Sequence, residues 1–252
     1  MPIKSETDLI DNLRTQLEKL NGYTFTDAEW KRFFAERIAN GNENIADKTF
    51  KIQEDHIQLL RCDNGEERNI YLLDKTNIHK NCLQVINQYE VSGARDNRYD
   101  VTLLVNGLPL VHIELKRRGV PLQEAFNQIN RYQRDSFWAG SGLFEYVQLF
   151  VISNGTHTKY YSNTTRWQHI NEAGKSDSHR SKKTSHSFEF TSWWADAHNR
   201  PITDLIDFTA TFLSKNTLLN VLTKYCVFTS DKLLLVMRPR SEEHTSELQS
   251  QY

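Results

Sequence analysis

Apolar positions near the start of the chain recur at helical spacing. Leu9, Ile10, Leu13, Leu17 and Leu20 form one stripe behind Ser5, and Asn21-Gly22 supplies the stop. Thr26-Asp27-Ala28-Glu29 is a capping box for a second helix carrying Trp30, Phe33, Phe34 and Ile38 and ending near Asn40-Gly41. A weaker helical pattern covers about 43–52. The period then shortens to two. Segments 56–62 and 68–73 flank Asp63-Asn64-Gly65, which predicts a hairpin, and 82–91 predicts a further strand.

The chain is organised around 98–118, which reads as two strands joined by a Gly-containing turn. Val101, Leu103 and Val105 alternate on the first strand, and Val111, Ile113 and Leu115 on the second. Between them stand Asp100, Thr102, His112, Glu114 and Lys116. Loop length decides what this reverse face can hold. A two-residue loop at Asn106-Gly107 pairs Asp100 with Ile113 and sends Glu114 to the opposite face. A three-residue loop, Asn106-Gly107-Leu108 with Gly107 left-handed, pairs Asp100 with Glu114 and gathers both apolar sets on one face. The second register is the one expected.

Downstream, Pro121 suits the first turn of a helix running to about Arg134, with Leu122, Ala125, Phe126, Ile129 and Tyr132 at helical spacing. Segment 146–152 is an apolar run of strand length closed by Ser153-Asn154-Gly155, and 158–161 extends the sheet. A helix between strands predicts an α/β (α+β) fold with a mixed central sheet flanked by helices. The expected organisation is a unit over 1–200 with a core at about 55–162 and a polar, mobile loop at about 163–187. A helical connector over 201–239 follows, with helices at about 202–213 and 216–225 and a strand at 232–237. Trp193-Trp194 reads as a packing anchor. From Ser241 onward no pattern remains, and 240–252 is expected to be a non-native tail.

Composition narrows the partners. The 252 residues carry a formal net charge of -1 with 25% charged residues, so any nucleic-acid surface must be a local patch. Mean hydropathy is -0.64, and no apolar run approaches the roughly 20 residues that span a bilayer. No membrane association is expected, and the cytoplasm is the expected compartment. Three widely spaced cysteines argue against a disulfide framework or a structural zinc site.

The chemistry concentrates on the central hairpin. Two carboxylates on adjacent strands, Asp100 and Glu114, can share a divalent ion that prefers hard oxygen ligands, with magnesium the expected choice. Lys116 on the same face can orient water and stabilise charge building on a phosphorus centre. This pattern suits hydrolysis of phosphodiester bonds. The plainer alternative is an exposed sheet face bearing ordinary charges. Glu29-Trp30-Lys31 repeats the Glu-x-Lys spacing in a helix and is expected to be a decoy. Gln128 and Tyr132 are four residues apart on one helix face, with Arg131 beside them, so an amide, a phenol and a guanidinium could position a DNA phosphate. Tyr132 could equally complete the helix's apolar stripe. His112 is read as either a supporting residue or a plainly exposed one.

The hairpin RYDVTLLVNGLPLVHIELKRRG, the helix EAFNQINRYQRDSF and the strand LFVISNGTHTKYYSNTT together resemble the restriction (R) subunit of type I restriction-modification enzymes. The likeness is to its N-terminal nuclease domain, of the PD-(D/E)xK superfamily, and covers about 5–239. It implies Asp100, Glu114 and Lys116 as the catalytic triplet, with Asp100 and Glu114 on the metal. It implies Gln128 and Tyr132 as a Q-x-x-x-Y element supporting DNA contact and cleavage. Tyr99 stands where the superfamily's nominal proline would be. The resemblance further implies double-stranded DNA as substrate, and separate methyltransferase and specificity subunits as partners. It also implies an additional N-terminal segment and a following ATP-driven, helicase-like motor, to whose beginning residues 232–239 are similar. The residues contain no GxxxxGK phosphate loop, so ATP is expected to belong to that motor. Two other readings are a non-catalytic DNA-binding or docking fragment and a stand-alone repair nuclease of the same superfamily.

Overall fold

The computed structural model describes residues 3–91, 97–164 and 190–237. Three helices open the chain: α1 (Glu6–Asn21), α2 (Asp27–Phe33, continued by a π turn over Phe34–Ile38) and α3 (Ile45–Gln53). Each N-terminus is fixed by a capping box, from Ser5 with Asp8, Thr26 with Glu29, and Asn44 with Asp47. Glu29 is therefore a structural residue, as its helical setting predicts. Strands β1 (Ile57–Arg61) and β2 (Glu67–Tyr71) make the expected hairpin as a separate two-stranded sheet.

The central sheet has five strands in chain order: β3 (Leu83–Val91), β4 (Asn97–Val105), β5 (Leu108–Leu115), β6 (Leu149–Ser153) and β7 (Thr158–Ser162). All neighbours are antiparallel except β5 and β6, which run parallel. That one parallel pair needs a crossover, and α4 (Leu122–Asp135) provides it. Ala125, Phe126, Ile129 and Tyr132 face inward from α4, giving the mixed sheet flanked by helices that the sequence predicts.

The β4–β5 turn departs from expectation. It is a two-residue turn, with Val105 opposite Leu108 and with Asn106 and Gly107 at φ of +50° and +84°. Asn106 is buried: its Oδ1 accepts from Cys82 N at 2.8 Å, and its Nδ2 donates to Leu72 O at 3.0 Å and Asn81 Oδ1 at 2.8 Å. Gly107 lies against α1, where a Cβ would come within 2.6 Å of the Leu13 Cα. These contacts hold the tight turn. The register is then restored by an irregularity: Leu104 pairs with Pro109 but Leu103 with Val111, so Leu110 is an extra residue on β5. The ladder ends at Val101 opposite Ile113, leaving Asp100 and Glu114 as the next residues on their strands.

Both faces of the hairpin are covered. Leu103, Val105, Val111 and Ile113 are buried as expected, but so are Thr102, His112 and Glu114 on the reverse face. The exposed reading of His112 is thus wrong, because alternation assigns a face and cannot show that α4 and its aromatic residues cover it. Toward the C-terminus, Trp194 stacks edge-on against Phe212, and Tyr160 lies against Phe208 and Phe212. Trp194 is a packing anchor. The helices Leu205–Thr211 and Lys215–Asn220 precede a short hairpin of Cys226–Phe228 with Leu234–Val236. Asn163 is buried, its Nδ2 donating to Thr49 Oγ1 and Val147 O at 2.8 Å each. The rest of the polar stretch expected to be mobile, from 165 to 187, lies outside the described residues, as does the tail over 240–252.

Candidate active site

The end of the β4–β5 hairpin and one face of α4 bring five of the six predicted site residues together, four of them in one side-chain hydrogen-bond network. Leu115 N donates to Asp100 Oδ2 at 2.9 Å, which ties the half-buried carboxylate of β4 to the end of β5. Glu114 is fully buried. Its Oε1 accepts from Lys116 Nζ at 2.8 Å. Lys116 Nζ also donates to Gln128 Oε1, and Gln128 Nε2 to the Tyr132 hydroxyl. The chain of contacts ends where Tyr132 Oη donates to Arg98 O at 2.8 Å, returning to β4. Tyr132 completes the apolar stripe of its helix with its ring in the core, while its hydroxyl reaches Gln128.

Arg131 joins less closely. Its exposed guanidinium lies 5.6 Å from the centroid of the Tyr132 ring and makes no contact with the carboxylates. Arg117 is exposed beside the site, and Arg118 packs against Gly155 on the β6–β7 turn.

Burial raises the Asp100 pKa above its ordinary value, and the nearby Glu114 charge adds to the rise, against the opposing Leu115 hydrogen bond and Lys116 charge. Tyr132 is likewise pushed up by burial. Two carboxylates this close and this sheltered need a cation or a proton. Lys116 answers one oxygen of Glu114, while Oε2 is buried without a hydrogen-bond partner. Among the described residues no cluster of three or more His, Cys, Asp or Glu side chains surrounds a metal position. Two hard carboxylates with one orphaned oxygen fit magnesium, which is commonly held by one or two carboxylates and keeps several waters.

Two features escaped sequence reasoning. The Arg98 carbonyl anchors Tyr132, and backbone acceptors leave no composition signal. Thr102 and His112 form a buried pair, with Thr102 Oγ1 and His112 Nδ1 3.2 Å apart. Their shared face was legible from alternation, but their burial was not.

Comparison with known proteins identifies the family of the chain. The profile of the family described as type I restriction enzyme R protein N terminus matches residues 2–169. The chain is 50% identical over 231 residues to the type I restriction enzyme EcoprrI endonuclease subunit of Escherichia coli, covering 92% of this chain and 69% of that protein. It is 38% identical over 245 residues to the SsaAORF53P endonuclease subunit of Staphylococcus saprophyticus, covering 94% of this chain but 23% of that protein. A more distant relative, the putative MjaIXP endonuclease subunit of Methanocaldococcus jannaschii, is 32% identical over 139 residues, 52% of this chain and 13% of that protein. With its mixed sheet, its paired strands and a profile match across two thirds of its length, the chain belongs to the family of type I restriction enzyme R protein N termini.

Proposed function

We propose that this chain is the nuclease domain of a type I restriction endonuclease subunit, hydrolysing phosphodiester bonds in double-stranded DNA with magnesium. The observation that carries the reading is the continuous side-chain network from Glu114 through Lys116 and Gln128 to Tyr132, with Asp100 held beside it by Leu115 N. Asp100 and Glu114 would hold the ion, which when bound polarises phosphoryl oxygens and acidifies a water. Lys116, held between Glu114 and Gln128, presents an ammonium that can orient the attacking water and offset charge on the phosphate. Gln128 fixes that ammonium, and Tyr132 fixes Gln128 by anchoring on β4. Arg131 adds an exposed cation for a neighbouring phosphate, positioning DNA without reading its sequence.

In this reading sequence recognition belongs to specificity and methyltransferase subunits, and cleavage follows translocation by an ATP-driven motor in the longer protein. The division at about residue 200, with a connector over 201–239 leading to that motor, is part of the same proposal, as is a cytoplasmic location. Among the described residues no helix is long and apolar enough to cross a membrane.

The test is cleavage by the assembled complex. Asp100→Ala, Glu114→Ala and Lys116→Ala are each expected to abolish cutting while the domain stays folded. Cutting that survives any of them overturns the assignment. The complete enclosure of Glu114 favours one other reading, a non-catalytic DNA-binding module whose carboxylate is purely structural. DNA affinity indifferent to magnesium and to Lys116→Ala would select it.

A further inference from the structure

The underside of the proposed site holds a pair of polar groups that the mechanism above leaves unused. His112 and Glu114 are two apart on β5, so their side chains leave the same face of the sheet. Both are fully buried. His112 Nε2 lies 3.7 Å from Glu114 Oε2, and neither atom has a hydrogen-bond partner. On the other side of the ring, His112 Nδ1 meets Thr102 Oγ1 at 3.2 Å.

What surrounds the imidazole limits its options. Tyr99, Tyr132, Phe137 and Phe150 pack edge-on around it. The two phenols are engaged elsewhere, Tyr99 with Ser136 Oγ at 2.7 Å and Tyr132 with Arg98 O. Neither serves Nε2. A bare Nε2 lone pair facing a carboxylate oxygen would bury two electron-rich atoms against each other, at a full desolvation penalty for each. A proton on Nε2 removes the conflict. The Thr102 hydroxyl can then donate to Nδ1 and fix that tautomer.

Resting on the metal-site reading above, we propose that Thr102 and His112 form a positioning pair, with Nε2–H directed at Glu114 Oε2 from the buried interior of the same face. The gap slightly exceeds hydrogen-bond length and closes with a small shift of the carboxylate. Each carboxylate oxygen has two lone-pair directions, so support from the interior leaves directions free toward a cation. Lys116 and His112 would thus hold the two oxygens of Glu114 from opposite sides. His112 is a positioning residue and touches no substrate.

The test uses the 252-residue chain and needs no cleavage assay. In nitrogen-15 NMR of the histidine-labelled wild type, the His112 ring is expected to carry its proton on Nε2. A ring protonated on Nδ1 alone, with Nε2 bare, overturns the proposal whether or not any variant folds. Titration with manganese followed by electron paramagnetic resonance supplies the second arm. His112→Phe fills the aromatic cage but cannot donate, and is expected to weaken manganese binding about 10- to 100-fold. His112→Gln, which keeps a donor near the Nε2 position, is expected to recover most of it. Wild-type affinity in His112→Phe overturns the positioning role. Asp100→Asn separates the two levels: if it abolishes binding and His112→Phe does not, only the positioning role fails. If Asp100→Asn leaves manganese binding intact, the metal site itself fails and the positioning role falls with it.

Discussion

At the residue scale the site is held together by satisfying some polar atoms and leaving others wanting. Asp100 accepts a backbone hydrogen bond yet its pKa is raised by burial and by Glu114. A raised carboxyl pKa means that the fold favours the protonated form. Its stabilising contribution is full below the ordinary value of 3.8 and is lost as pH rises through the raised value. The fold thus disfavours a negative charge at this half-sheltered position. Asp100→Asn is expected to raise the melting temperature of the metal-free chain at pH 7 by about 2–4 °C, the shift that about 1 kcal/mol makes in a chain of this size. The advantage should vanish in acid. Thermal unfolding that shows no gain at pH 7 would mean that solvent already screens this charge.

At the scale of single elements, the β4–β5 hairpin decides whether a site exists. Asp100 and Glu114 do end side by side, as alternation demanded, but through a tight turn followed by an extra residue rather than through a longer loop. Leu110 is an ordinary apolar residue in an apolar run, so nothing in the pattern marks it as the irregularity. The face of Thr102 and His112 was legible for the same reason that their burial was not: period two fixes a side, and only the packing of α4 says what lies over it. Gly107→Ala tests the turn. Its left-handed backbone and the nearby Leu13 leave no space for a methyl group, and a loss of more than about 2 kcal/mol is expected in denaturant unfolding. A small effect would show that α1 can move away from the turn.

Glu29 does comparable work at the start of α2. Burial pushes its pKa up, but hydrogen bonds from Thr26 N, Asp63 N and the Tyr23 hydroxyl outweigh this and the pKa is lowered. Its stability is therefore present above the ordinary value of 4.5 and is lost as pH falls through the lowered one. Glu29→Gln is expected to cost about 1–3 kcal/mol at pH 7 and progressively less in acid, measured by urea unfolding across pH.

At the scale of the molecule, the N-terminal helices and the central sheet form one core rather than a core with an appendage. Lys48 on α3 is buried and pairs with Glu145 at 2.5 Å, while donating to Gly142 O at 3.2 Å. Gln53 at the end of the same helix donates to Leu222 O at 3.3 Å, in the turn that follows the helix Lys215–Asn220. These long-range polar ties could not be read locally, because Lys48 stands in a weak amphipathic pattern like any solvated lysine. Lys48→Met alone is expected to destabilise by about 3–5 kcal/mol, by stranding Glu145, and Lys48→Met with Glu145→Leu by much less. Equal losses in the single and double variants would contradict this role.

The central claim is that Asp100, Glu114 and Lys116 cut DNA within a larger restriction complex. Its most direct test is the cleavage of double-stranded DNA, with magnesium and ATP, by the complete complex carrying Asp100→Asn. The account predicts that cutting disappears while assembly and ATP hydrolysis persist. Cutting at the wild-type rate would contradict it.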